Sequence, residues 1–250
     1  MKRFLVVIPA RLDSSRFPNK MIKKINGDYT LIQQVYFNAI KSKFADDVFV
    51  ATDSEEISNL IKDINGKVFF SNKKHKNGTS RVSEILNFYD YDYIINLQGD
   101  EPLVYSDIID EVIKEISNGK ESVVTAYYET NDNRILNDYN SVKLVTNKSG
   151  YAMYFSRSNI PYDIKKVNYK GKIHIGIYAY TKDILLKYKE YSGSLLSNIE
   201  SLEQLDFLYN EIKIKAIPII SQHDIISVNN EEDLKKVIKY YEREKTFCDG

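Results

Sequence analysis

The chain is poor in the residues that staple small folds or build metal sites. It has one cysteine, Cys248, among 250 residues, which excludes an intramolecular disulfide framework and a cysteine-built zinc site. Its three histidines, His75, His174 and His223, never stand at H-x-x-x-H spacing, so a histidine-built metal site is not expected either. Neither sign of charge is in excess: 35 basic and 35 acidic residues leave a net charge of +0. A non-specific nucleic-acid or membrane-surface binder normally carries a basic surplus, so neither partner is expected. No apolar run approaches the roughly 18 residues that cross a bilayer. The run Phe4 to Ala10 is short for a secretory core, and Pro9 and Arg11 interrupt it. The expectation is a cytoplasmic protein without membrane insertion.

What is present is 43% hydrophobic and 28% charged residues, in a length that suits one domain with a sizeable core. Phe4-Leu-Val-Val-Ile8 is a continuous β-branched run, the pattern of a strand buried on both faces. Further strands are expected at 48–51, 67–70, 93–97 and 122–128, with helices at 30–42, 53–61, 79–89 and 106–118 between them. Asp53-Ser-Glu-Glu opens its helix with acidic groups in the first turn. This alternation predicts an α/β fold, a mostly parallel doubly wound sheet. From about residue 140 the rhythm changes. Two strands, 142–145 and 151–155, form a hairpin-like pair, and a polar stretch leads to a strand at 173–180. Helices at 181–188, 199–209 and 231–244 and a strand at 212–220 complete the chain. No repeat or linker interrupts it, so residues 1–250 read as one domain, with a β-rich insert at about 140–180.

Open α/β sheets bind ligands beyond the carboxyl ends of their strands. Two polar segments fall there. The loop Pro9 to Lys20 offers Arg11, Arg16 and Lys20, with hydroxyls at Ser14 and Ser15. Three cations and several backbone N–H groups suit a polyanion such as a triphosphate, although a solvated basic loop would look the same. It carries neither G-x-x-x-x-G-K-[ST] nor G-x-G-x-x-G, so it is neither a Walker A loop nor a dinucleotide fingerprint. The second segment is Leu97-Gln-Gly-Asp-Glu-Pro102, where Gly99 permits close backbone approach and Asp100 offers a carboxylate to Mg²⁺. A basic loop facing an acidic strand end suggests metal-assisted nucleotide chemistry.

Ile8-Pro-Ala-Arg-Leu-Asp-Ser-Ser-Arg-Phe-Pro-Asn-Lys20 and Asn96-Leu-Gln-Gly-Asp-Glu-Pro-Leu103 closely resemble motifs of the 3-deoxy-manno-octulosonate cytidylyltransferases, the CMP-Kdo synthetase family. Val142-Lys-Leu-Val145, Tyr154-Phe-Ser-Arg-Ser-Asn-Ile-Pro161, His174-Ile-Gly-Ile-Tyr-Ala-Tyr180 and Glu200-Ser-Leu-Glu-Gln-Leu205 match in the same order. The resemblance spans essentially the whole chain. It implies a Rossmann-like nucleotidyltransferase, usually a homodimer, using CTP, Mg²⁺ and a 2-keto-3-deoxy sugar acid; the β-rich insert would then be a lid or the dimerisation element. By position, Arg11, Ser15, Arg16 and Lys20 would hold the phosphates beside Pro9 and Ala10. His75, Gly78, Thr79, Arg81 and Gln98 would complete the nucleotide site. Asp100 would bind Mg²⁺, and Arg11, Lys20 and Asp100 would carry the catalysis. Arg157, His174, Glu200, Glu203 and Gln204 would line the sugar-acid pocket.

Two departures from the family pattern stand out. Where the family usually reads H-x-S-G-T-[DE]-R, this chain has His75-Lys-Asn-Gly-Thr-Ser-Arg81. Where it usually reads V-D-T-P-E-D-L, this chain has Val228-Asn-Asn-Glu-Glu-Asp-Leu234, so the second metal ligand becomes Asn229. An amide oxygen ligates Mg²⁺ without bringing charge, and metal affinity should fall. Three alternatives stay open: an active Kdo cytidylyltransferase with a weakened metal contact, an enzyme for a related acid such as 8-amino-Kdo, or a nucleotide-binding homologue with little turnover. The product would feed lipopolysaccharide or capsule.

Overall fold

The computed structural model describes residues 2–13, 17–71, 75, 77–165, 167, 169–221 and 225–248. The chain runs β1 (Phe4–Ala10), β2 (Lys24–Asn26), β3 (Tyr29–Thr30), α1 (Leu31–Ala39), β4 (Asp47–Thr52), α2 (Glu55–Lys62), β5 (Lys67–Phe70), α3 (Gly78–Glu84) and β6 (Tyr93–Leu97). It continues with α4 (Ser106–Ser117), β7 (Val123–Thr130), α5 (Asn133–Asn137), β8 (Lys143–Thr146), β9 (Ala152–Ser156) and β10 (Gly171–Thr181). Last come α6 (Lys182–Leu186), α7 (Tyr188–Tyr191), α8 (Leu195–Glu200), α9 (Gln204–Tyr209), β11 (Lys215–Pro218) and α10 (Glu231–Cys248).

The central sheet has the order β11-β7-β10-β6-β1-β4-β5. Strand β1 pairs in parallel with both β4 and β6. Its side chains alternate between the two faces. Val6 and Ile8 join a core with Leu31, Ile108 and Val237, under the helices α1, α4 and α10. Leu5 and Val7 join a second core with Val82, Leu185 and Phe207, under α3, α6 and α9. All four are fully buried, which is why this strand has no polar alternation. Each such side chain contributes about 1.5–3 kcal/mol by leaving water.

The sheet is mixed rather than wholly parallel, because β10 runs antiparallel to both β6 and β7. The β8–β9 hairpin joins the same sheet through β10. Two expected helices divide. The segment 199–209 breaks at Ser201, which takes a left-handed φ of 53°, and the Leu202 N–H closes back on the Ser197 carbonyl at 3.1 Å. This is the hydrogen bonding that ends a helix, so Glu200 closes α8 while Glu203 precedes α9. The helix expected at 181–188 divides likewise into α6 and α7. The last strand shrinks to four residues. Helix α5 was not expected, and it is capped by Asp132, which accepts from Arg134 N at 2.8 Å.

Candidate active site

The carboxyl ends of β1 and β6, together with the amino-terminal part of the antiparallel β10, open on one cavity of about 2280 Å³, whose wall includes Arg11, Gln98, Asp100, His174 and Asn229. Lys20 is buried and does not itself line this wall; its ammonium forms an ion pair with Asp100, which does, and donates to the Val228 carbonyl at 2.9 Å. The Val228 N–H in turn donates to the Asp100 carbonyl at 2.9 Å. Three segments far apart in the chain therefore meet around Asp100. Arg11 is exposed on the cavity wall. Pro9 and Ala10 end the buried strand β1. Ser15 and Arg16 lie outside the described residues.

Packing alone favours glycine at 99: a Cβ there would stand 3.0 Å from the Pro9 carbonyl and 3.1 Å from Met21 Cε. Beside it, Glu101 is buried. Its Oε1 accepts from Ser227 Oγ at 2.7 Å and from Gly176 N at 3.1 Å. Burial, and then the Asp100 charge, push the Glu101 carboxyl up to about 8. Gly176 sits where the β10–β7 register shifts. A Cβ on it would meet Glu101 Oε1 at 2.5 Å, so the bulge approaches this loop only because the residue is glycine. Glycine inside a strand pattern is a sequence signal for such a bulge. Nothing in the sequence marks Ser227.

The loop before α3 is built differently from the expectation. Asn77 caps the helix, its Oδ1 accepting from Ser80 N at 2.9 Å, while its Nδ2 donates to Tyr188 Oη at 2.7 Å. A serine at that position could cap but not reach Tyr188 in the same way. Gly78 lines the cavity, and a Cβ on it would stand 3.3 Å from Pro9 Cγ. His75 also faces the cavity, its Nε2 lying 2.8 Å from Glu84 Oε2 and 3.1 Å from Ser71 Oγ. Thr79 and Arg81 do not line the cavity wall. Thr79 N donates to Glu203 Oε2 at 3.1 Å. The Arg81 side chain is buried, with Nη2 donating to Asp53 Oδ2 at 2.7 Å. Its other nitrogen, Nη1, has no partner among the described residues.

Next to this loop, Gln98 Nε2 donates to Glu203 Oε1 at 3.3 Å. Burial holds the Glu203 carboxyl above the ordinary carboxylate range, against the hydrogen bonds from Thr79 and Gln98. Gln204 is buried and shares the cavity wall. Arg157 lines the cavity, yet its guanidinium donates to three backbone carbonyls: Glu200 at 2.7 Å, Tyr139 at 3.0 Å and Ser201 at 3.2 Å. Glu200 is not on the wall. Its two oxygens accept from Ser156 Oγ at 2.7 Å and Arg157 N at 3.0 Å, fastening β9 to α8. Beneath them lies Lys143, fully buried, donating to the Asp138 carbonyl at 2.8 Å and the Arg157 carbonyl at 2.5 Å. Desolvation brings that ammonium down to about 8.

Among the described residues no group of three or more His, Cys, Asp or Glu side chains gathers as a metal cage. Asp100 Oδ1 accepts no hydrogen bond among the described residues. Asn229 stands on the same wall, its N–H donating to Asp233 Oδ2 at 3.1 Å. One carboxylate and one amide fit Mg²⁺ that brings phosphate and water ligands with it, because Mg²⁺ uses few protein ligands beside nucleotides.

A family model described as cytidylyltransferase matches residues 5–214. The chain is 40% identical over 240 residues to a 3-deoxy-manno-octulosonate cytidylyltransferase of Fusobacterium nucleatum subsp. nucleatum, covering 95% of this chain and 96% of that one. It is 39% identical over 252 residues to that of Francisella tularensis subsp. tularensis, covering 96% and 99%. Among solved structures, CMP:2-keto-3-deoxy-manno-octonic acid synthetase complexed with CTP matches with a TM-score of 0.89 and 30% identity, over 97% of this chain and 100% of that one. With the ordered motifs gathered around a single cleft, the chain belongs to the 3-deoxy-manno-octulosonate cytidylyltransferase family.

Proposed function

We propose that the chain transfers a cytidylyl group from CTP to 3-deoxy-manno-octulosonate (Kdo), releasing pyrophosphate. The observation that carries this is the likeness, over 97% of the chain, to a synthetase complexed with CTP. The anomeric hydroxyl oxygen of the sugar acid attacks the α-phosphorus in line. A new P–O bond forms as the bond to the bridging oxygen of pyrophosphate breaks, and the hydroxyl proton passes to water. Such chemistry asks the protein mainly for positioning and charge neutralisation.

Arg11, Ser15, Arg16 and Lys20 take the triphosphate, and Lys20 exchanges Asp100 for phosphate oxygens as it does so. Asp100 and the Asn229 amide hold Mg²⁺. When bound, that ion neutralises phosphate charge and makes the attacking hydroxyl more acidic. Gln98, with the loop at His75 and Gly78, positions the nucleotide. His174, Glu203 and Gln204 face the sugar acid. Arg157 keeps the Tyr139 and Ser201 backbone in place beside it. The insert at about 140–180 makes the contact of a homodimer. Exposed Met153, Tyr162 and Ile164 support that role. On this reading the protein works in the cytoplasm, where CTP is available.

The test is pyrophosphate release from CTP with Mg²⁺ and a panel of 2-keto-3-deoxy sugar acids that includes Kdo and 8-amino-Kdo. Release with Kdo, and formation of CMP-Kdo, is expected. CTP binding without release for any acid would overturn the proposal in favour of a binding protein.

A further inference from the structure

His174 stands on β10 with its ring against Phe155, at 5.5 Å between centroids, and Tyr178, at 5.0 Å. It lines the cavity. Its Nε2 lies 3.0 Å from Thr125 Oγ1 on the neighbouring strand β7. Which atom donates follows from a third group. Thr125 Oγ1 also lies 2.7 Å from the Ile177 carbonyl. A carbonyl only accepts, so the single hydroxyl proton of Thr125 is committed to it. Towards His174 the Thr125 oxygen can therefore only accept. The ring proton sits on Nε2, and Nδ1 has no hydrogen-bond partner among the described residues. Burial disfavours the imidazolium and brings its pKa to about 3, so Nδ1 keeps its lone pair at neutral pH.

We propose that Thr125 is a positioning residue that locks His174 in the Nε2–H form, so that the ring offers the cavity an acceptor, selecting a sugar hydroxyl there and rejecting the sugar carboxylate. A hydroxyl donates to a bare ring nitrogen; an ionised carboxylate, which only accepts, cannot. The mismatch is stronger in a site shielded from water, where an unmatched polar contact is costly. The same ring with Nδ1–H, or as a cation, would donate to a hydroxyl or a carboxylate alike and would no longer reject the carboxylate. A threonine two strands from the nucleotide thus decides the polarity of one sugar contact without touching the sugar. The assignment rests on the proposed sugar-acid activity, whereas the tautomer rests on the hydrogen bonds alone.

The experiment is done on the full-length protein labelled with ¹⁵N. Two-bond ¹H–¹⁵N spectra report the tautomer of each of three histidines, and the His174→Asn variant assigns the signal. His174 is expected neutral with Nε2–H at pH 7. In Thr125→Val the lock is lost: the signal shifts to mixed or Nδ1–H character, and KM for Kdo rises about tenfold while KM for CTP stays within about twofold. Thr125→Ser restores both. With the wild type, one deoxy analogue of the sugar acid loses about tenfold in kcat/KM, and His174→Phe abolishes that discrimination. An Nδ1–H signal in the wild type, or a Thr125→Val protein with unchanged tautomer and KM, overturns the proposal. If the Nε2–H form is found but no sugar acid yields pyrophosphate, the activity assignment has failed and the selection role falls with it.

Discussion

The ammonium of Lys20 rests against the carboxylate of Asp100, 80 residues away in the chain, with its second hydrogen bond going to the Val228 carbonyl. The pair is largely out of water, with 8% of the Lys20 side chain and 23% of the Asp100 side chain exposed. A charge left alone in such a place is costly, typically about 3–5 kcal/mol for a fully buried pair and less here. Asp100→Ala is expected to abolish pyrophosphate release and to lower unfolding stability by about 2 kcal/mol, with the circular dichroism of the fold retained. The double variant Lys20→Met/Asp100→Ala should regain part of that stability while remaining inactive. Urea unfolding of the two single variants and the double one measures the coupling. Additive losses would show that the two charges do not support one another.

Gly176 provides a steric test of the same region. An alanine Cβ would stand 2.5 Å from Glu101 Oε1 and 3.1 Å from Gln98 Cγ. Glu101 has nowhere to retreat, being buried and held by Ser227. Gly176→Ala is expected to cost about 1–3 kcal/mol. Displacing the loop that carries Asp100 should also lower kcat by about 10- to 100-fold, as small misplacements do. Wild-type kcat in this variant would mean that the loop position is not critical.

Glu101 gives the stability a pH dependence with a defined sign. Its carboxyl is near 8 in the folded chain, because of burial and the Asp100 charge, against an ordinary value of 4.5. Between those values the folded chain keeps a proton that the unfolded chain has lost. Its contribution is therefore full below 4.5 and is lost as pH rises towards 8, at up to about 1.4 kcal/mol per pH unit for one group. Glu101→Gln removes this titration and preserves an acceptor for Ser227 and Gly176. Relative to the variant, the wild type should lose stability between pH 5 and pH 8. Parallel stability curves for the two proteins would place the Glu101 titration elsewhere.

Much of this architecture is legible in the amino-acid order, for a definite reason. Leu5, Val6, Val7 and Ile8 show no polar alternation because both faces of β1 are buried, and that pattern locates a central strand. The meeting of the basic loop with Asp100 follows from placing both at strand ends. Other features depend on contacts between distant segments. The helix break at Ser201 uses no glycine or proline, so composition does not announce it. Glu200 and Arg157 both read as pocket residues; Arg157 does line the cavity, whereas the Glu200 carboxylate is off the wall, taken up by Ser156 and the Arg157 backbone. The antiparallel course of β10 and the role of Thr125 depend on pairings that no local window contains.

Asn229 offers the sharpest change of charge. It stands on the cavity wall with Asp100, and its own N–H is held by Asp233. Burial raises the Asp233 carboxyl above its ordinary range, so it is a poor substitute for a missing charge. A carboxylate at 229 would give Mg²⁺ a second charged ligand, and Mg²⁺ favours carboxylate oxygen over amide oxygen. Asn229→Asp is therefore expected to lower the Mg²⁺ concentration for half-maximal pyrophosphate release by about 5- to 10-fold, corresponding to roughly 1–1.4 kcal/mol. In the absence of metal the added charge should repel the triphosphate and weaken CTP binding, which isothermal titration measures directly. If both the Mg²⁺ titration and metal-free CTP affinity match the wild type, residue 229 neither touches the metal nor faces the phosphates.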